Sequence, residues 1–205
     1  MNNSAPLTGD TLDVFSRRLA AASPLHARPI TEHGVEASPL PTPDFFDRVA
    51  VFHVLIPIRR RPIEMSVADV GDEVVVLGSP DRVDELARTI GLHLESTDDV
   101  VEYLRFWCRT ALGRSEQLVE GPVDFHWISG VETDAGLRAN ADRAARLARW
   151  VAVRGAVADV YPAAVTVLDQ RTLQLRELSV RADGHVEELS RVDLATDVPV
   201  PYTMP

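Results

Sequence analysis

The chain has 205 residues, 45% of them hydrophobic and 25% charged, and its net charge is −10. It contains no lysine, so all 21 basic residues are arginine, and its single cysteine is Cys108. This excludes Schiff-base enzymes, pyridoxal-phosphate anchoring and the lysine-dependent phosphate loops, together with an internal disulfide or a cysteine-built zinc or iron–sulfur site.

A chain of this length can bury a core without staples. The acidic balance disfavours a duplex nucleic-acid binder and docking on an anionic membrane. Met1–Pro6 carries neither a basic nor an apolar signal region, and no apolar run approaches about 18 residues. The expected location is a cytoplasm. Arginine in place of lysine, with abundant Ala and Val, points to a GC-rich bacterial source.

In chain order, residues 1–9 read as a loose tail. Leu12, Phe15 and Leu19 lie at i, i+3 and i+7 and predict a helix over Asp10–Ala22. Ser23–Pro43 holds five prolines and is expected to be an extended arm. VAVFHVLIPI (49–58) reads as a strand buried on both faces, followed by Arg59-Arg60-Arg61, a strand near Ile63–Val67 and a third at Glu73–Leu77. Ser79-Pro80-Asp81 is a strong helix start, with Gly91 as its stop.

Asp98–Leu112 is expected to be the central core helix, capped by Thr97 or Asp98, because only Glu102, Arg105 and Arg109 interrupt its apolar surface. Glu116–Glu120 and Asp124–Ile128 read as short strands. Asp134–Arg149 reads as a helix capped by Thr133, with charges at Arg138, Asp142, Arg143, Arg146 and Arg149. From Trp150 the apolar period changes to 2, giving strands over Val151–Val157, Ala163–Leu168 and Thr172–Arg181. Ala182-Asp183-Gly184 is a hairpin turn with two open registers: a two-residue loop pairs Leu178 with Leu189, and a three-residue loop with left-handed Gly184 pairs Val180 with Val186. Leu173 and Leu175 are out of phase with Leu178 and Val180, which a β-bulge or a twist near Arg176-Glu177 would reconcile. VPVPYTMP at the C-terminus is expected to be extended.

The fold class is α+β: helices packed on a bent antiparallel β-meander, with an extended Pro-rich N-terminal arm. The domain reading is a helix and arm over residues 1–43 and an α+β domain over 44–205, with a possible sub-boundary near Gly130.

No sequence motif assigns a chemistry. His26, His33, His53, His93, His126 and His185 include no H-E-x-x-H pattern, so no metal and no cofactor is expected. Asp124 and His126 at i, i+2 would share one face of a strand, either as a tuned acid–base pair or as a plain surface pair. His185 and Glu187 repeat that spacing at a hairpin tip. His53 reads as a satisfied core histidine and Cys108 as a small hydrophobe rather than a nucleophile. Arg59–Arg61 cannot converge on one anion from an extended segment and read as an edge gatekeeper.

The element order over residues 98–194, helices followed by a bent meander with an Asp-Gly hairpin, resembles the cystatin-like cone of the NTF2-like superfamily. That resemblance implies a curved sheet around an apolar pocket, with Asp124, His126, Tyr103 and Tyr161 as the polar groups in it. Two functions follow. The first is a non-catalytic interaction or assembly module that binds a protein partner or itself, with no nucleic acid and no membrane. The second is a small-molecule-binding or enzymatic protein built on the pocket.

Overall fold

The computed structural model describes residues 6–113 and 115–201. Among them it shows five α-helices and two antiparallel sheets, an α+β fold. The chain divides after Leu92 into two compact units, each with its own sheet.

The first unit opens with α1 (Gly9–Ala22) and α2 (Pro24–His33). The helix α2 and the strand β1 (Glu36–Leu40) replace most of the expected extended arm. Proline permits both. Pro24 stands in the first helical turn, where the missing N–H has no intrahelical partner to lose. Pro29 removes the bond that would run to Leu25, which is 84% exposed, so water can serve that carbonyl. Pro39 lies in the edge strand β1. The strands β2 (Ala50–Ile56), β3 (Ile63–Asp69) and β4 (Val74–Val76) continue an antiparallel meander, and α3 (Pro80–Thr89) follows. Phe15 and Leu19 of α1, Ile30 of α2 and Ala37 of β1 are buried in one cluster with Phe52, Val54, Ile56 and Val67. The Phe15 and Phe52 rings meet edge to face at 5.4 Å.

The second unit opens with α4 (Thr97–Ala111), whose Val100, Tyr103, Leu104, Phe106, Trp107 and Cys108 are all buried. Its cap is Ser96, one residue before the expected Thr97 or Asp98. The Ser96 hydroxyl accepts the Asp99 amide at 3.1 Å, and Asp99 Oδ2 accepts the Ser96 amide at 3.0 Å. The strand β5 (Glu116–Leu118) and a 3-10 turn at Pro122–Asp124 precede α5 (Ala135–Leu147), which is capped by Asp134 rather than Thr133. The short β6 (Ala152–Val153) then leads into β7 (Val160–Asp169), β8 (Thr172–Arg181) and β9 (Val186–Ala195). The sheet order is β5-β7-β8-β9, with β6 also paired to β7.

The hairpin adopts the three-residue form: Val180 pairs with Val186, and Gly184 has φ +85°. The register shifts between Glu177 and Leu178, at the phase slip, but the extra residue is Leu189 on β9. The slip itself has a different origin. Gln174, Arg176, Leu178 and Val180 all lie on one buried face of β8, so two polar side chains point inward.

Both faces of this sheet are used. On one side, Leu168, Leu173 and Ala195 join Val119, Phe125, Ala144 of α5, Val198 and Val200 in a core. On the other side lies α4, whose Tyr103 hydroxyl donates to the Gly184 carbonyl at 2.6 Å. The segment Val198–Pro201 packs against the core, with Val198 fully buried. Residues 202–205 of the expected extended tail, like 1–5 of the N-terminal one, lie outside the described residues.

Candidate functional site

Asp124–Ile128 is not a strand, because the 3-10 turn ends at Asp124 and irregular chain follows. Asp124 therefore does not share a strand face with His126. Its Oδ2 accepts the Glu120 and Gly121 amides at 2.7 and 2.9 Å and closes the Gly121-Pro122 turn. What fixes the loop is apolar: Phe125 is buried and stacks on Trp127 with ring centres 4.6 Å apart, and the Ile128 amide donates to the Pro199 carbonyl.

Tyr103 and Tyr161 are brought to the hairpin end of the sheet. Tyr103 bonds Gly184, as above, and Tyr161 donates to the Leu94 carbonyl at 3.3 Å. The Leu94 amide in turn donates to Ala182. Tyr103 thus ties α4 to the β8–β9 turn, and Tyr161 ties the segment leading into α4 to β7. Both phenols are buried and bonded to backbone, a structural use of their polar ends.

His126 lines a cleft of about 230 Å³ with Ser115, Glu116, Gln117, Leu168, Gln170, Val200 and Pro201. Neither tyrosine nor Asp124 lines it. Its volume falls below the roughly 300–1,000 Å³ of small-molecule sites. Behind it sits a largely buried ion pair between Arg176 and Glu116. Arg176, 4% exposed in its side chain, bonds Glu116 and also Gln174, with Glu188 at 3.8 Å. Burial alone would raise the Glu116 carboxyl, but the Arg176 guanidinium and the Gly113 amide outweigh it and hold the group below its ordinary value. Burial also pushes the Cys108 thiol up to about 12, against the opposing pull of Arg176, so this thiol is no nucleophile at neutral pH. In the first unit, a groove of about 400 Å³ runs along α1 past Leu7, Val14 and Phe15, and its Arg18 is forked onto Asp69 at 2.7 and 2.8 Å. Among the described residues, no group of three or more His, Cys, Asp or Glu side chains could hold a metal ion, and no helix is long and apolar enough to cross a membrane.

One surface of the second unit differs in kind. Trp150 is 69% exposed, yet its ring is held from one side by the Arg105 guanidinium, 5.9 Å from the ring centre. Arg105 is itself clamped by Glu120 through bonds of 2.9–3.1 Å. Glu120 also accepts the Val151 amide at 3.5 Å, which ties the carboxylate to the residue after the indole. The result is a large aromatic plate with one face braced and the other open to solvent. In the sequence, Trp150 marks only the point where the apolar period changes to 2. The signal available was a tryptophan at the end of an amphipathic helix, but its exposure depends on α5 ending at Leu147 and on the long-range contact with α4.

No family model matches this chain, and no curated protein or solved structure matches it.

Proposed function

We propose that this protein is a non-catalytic bacterial interaction module of the cytoplasm, and that Trp150 is the anchor by which it grips a protein partner. The carrying observation is the braced, exposed indole. A tryptophan that is already ordered loses little side-chain freedom on binding and brings a large apolar face, which is why this residue type dominates interface energetics. Three of the four polar groups that an enzymatic reading needs, Asp124, Tyr103 and Tyr161, make bonds that hold the fold together.

The test is quantitative co-purification from the source cells with the full chain as bait, comparing wild type with Trp150→Ala. Because the side chain is largely exposed and loses only its contact with Arg105, the substitution should cost about 1 kcal/mol of stability or less. The reading expects proteins enriched by the wild type and lost with the variant. An unchanged set would refute it.

The alternative is a small-molecule or enzymatic site at the His126 cleft, which is favoured by the imidazole and the Glu116 carboxylate on its wall. His126→Ala would then abolish ligand-dependent stabilisation while Trp150→Ala would not.

A further inference from the structure

The last strand of the second unit is an open edge. The sheet order ends at β9, and among the described residues no strand pairs with its outer side. β9 is ten residues long, and Glu187, Glu188, Leu189, Arg191, Val192 and Asp193 are exposed on it. Leu189 at 60% and Val192 at 55% are large apolar side chains left to water. A long edge with unpaired N–H and C=O groups is a template for another strand. At its far end the Leu194 carbonyl accepts from Arg143 at 3.3 Å, which leaves the stretch 186–193 open.

The bulge at Leu189 decides which strand fits. Before it, Val186 and Glu188 lie opposite Val180 and Leu178, on the face that α4 covers, and Glu187 lies on the other. After it the alternation is reversed: Arg191 and Asp193, opposite Arg176 and Gln174, are on the α4 face, and Val192 is on the other. A regular partner strand matches one half of this pattern and is out of phase with the second. A strand with the same bulge, run antiparallel about a two-fold axis beside Leu189, matches both. Val186 then faces the partner's Asp193, Glu187 the partner's Val192, Glu188 the partner's Arg191 and Leu189 the partner's Ser190, and the symmetry repeats each pair. Bulge stands against bulge, so the device that ordinarily guards an edge is cancelled.

The same register suits the backbone and the charges. The Arg181 amide donates to the His185 carbonyl, so at the next pair Val186 turns its N–H and C=O outward, and the alternation gives Glu188 the same orientation. Past the bulge Arg191 and Asp193 take it up, and these are the residues that the register sets against one another. Glu188 meets an arginine on both sides of the axis, and none of Glu187, Glu188, Arg191 and Asp193 opposes a like charge. The exposed Leu189 of each copy lies beside the axis, where the two meet. A slip of one residue in either direction sets the α4-face residues against the opposite face. From this geometry we infer that two copies of the chain associate through β9, antiparallel about a two-fold axis beside Leu189, into one sheet shared by both second units. The inference goes beyond the Trp150 reading and does not rest on it. Trp150 precedes β6, which pairs with β7, so β9 and the indole belong to opposite edges of the sheet.

The test uses the full chain. One strand pair is a small interface, so the expected dissociation constant is about 1–100 µM. Sedimentation over about 1–500 µM protein should show a reversible monomer–dimer equilibrium in that range. Arg191→Glu sets a carboxylate against the partner's Glu188 on both sides of the axis and should weaken association at least about tenfold. Arg59→Glu, in the loop between β2 and β3, should leave it unchanged. The register is read by mixing two single variants, Glu187→Cys and Val192→Cys, with oxidised glutathione. Both positions are exposed, and circular dichroism checks that both variants keep the fold. Facing positions that are not hydrogen-bonded to each other lie about 4.5 Å apart between Cα atoms, within disulfide reach, so the mixture should give a linked dimer and neither variant alone should. Cys108 is buried and takes no part. Glu188→Cys mixed with Val192→Cys, on opposite faces, should link far less. The inference is overturned by a monomer at every concentration, by association that Arg191→Glu leaves intact, or by equal linking of the two mixtures. A monomer overturns it even where Arg191→Glu loses a co-purified protein, since the edge then serves a different chain. None of these outcomes touches the Trp150 reading, which falls only by its own co-purification.

Discussion

Arg176 is the residue on which the interior of the second unit turns. It is an arginine on the buried face of a central strand, between Gln174 and Leu178, and its charge is met chiefly by Glu116 of β5. Removing one member of such a pair leaves the other charge buried, which is worse than never having had the pair. Glu116→Gln keeps the shape and leaves Glu188 within 3.8 Å, so the expected loss is about 1.5–3 kcal/mol, that of a hydrogen bond to a charged group. The sign with pH follows from the direction of the shift. The folded carboxyl lies below its ordinary value of 4.5, so its stabilisation is fully present above that value and is lost as pH falls through the folded value. Thermal melts should therefore show a gap between wild type and Glu116→Gln that is constant near neutrality and closes as the pH falls below the ordinary value of 4.5 and through the folded value. A gap independent of pH would show that the pair does not carry it.

At the scale of elements, α4 shows how much local chemistry matters. Its capping box joins Ser96 and Asp99, and Ser96→Ala should cost about 0.5–2 kcal/mol, read as a lower melting temperature at unchanged helical signal. The helices and strands with strong periodic patterns were legible in the sequence: α1, α3, α4, α5, and β2, β3 and β8 lie within a few residues of their expected places. Elements set by contacts distant in sequence were not. The Pro-rich stretch became α2 and β1 because Ile30 and Ala37 have a core to enter, which outweighs proline's local preference. DFHWI has strand-forming residues, but after the turn at Pro122–Asp124 it runs as irregular chain outside both sheets, fixed by the stacking of Phe125 on Trp127. The phase slip in β8 invited a bulge on that strand. A buried arginine accounts for it, and no single-sequence pattern distinguishes an arginine facing a distant carboxylate from one facing water. The same limit applied to the candidate site: Asp124, Tyr103 and Tyr161 were legible as polar residues near apolar ones, whereas their backbone partners were not.

At the scale of the molecule, the stretch 15–37 is core rather than appendage. Phe15, Leu19, Ile30, Val35 and Ala37 make up half of the buried cluster that fills the first unit. A chain lacking residues 1–43 should therefore lose the cooperative folding of that unit, seen as lost amide protection throughout β2, β3 and β4, rather than a dispensable arm. Intact protection there would contradict the packing described.

The second unit carries the functional claim, and it divides two places on one body: the His126 cleft and the braced plate of Trp150. The measurement that separates them is photo-crosslinking in living source cells, with benzoylphenylalanine placed at position 150 in one strain and at position 126 in another. The account predicts a discrete adduct with a second protein from position 150 and none from position 126. An adduct from position 126 alone, or from neither, would contradict it.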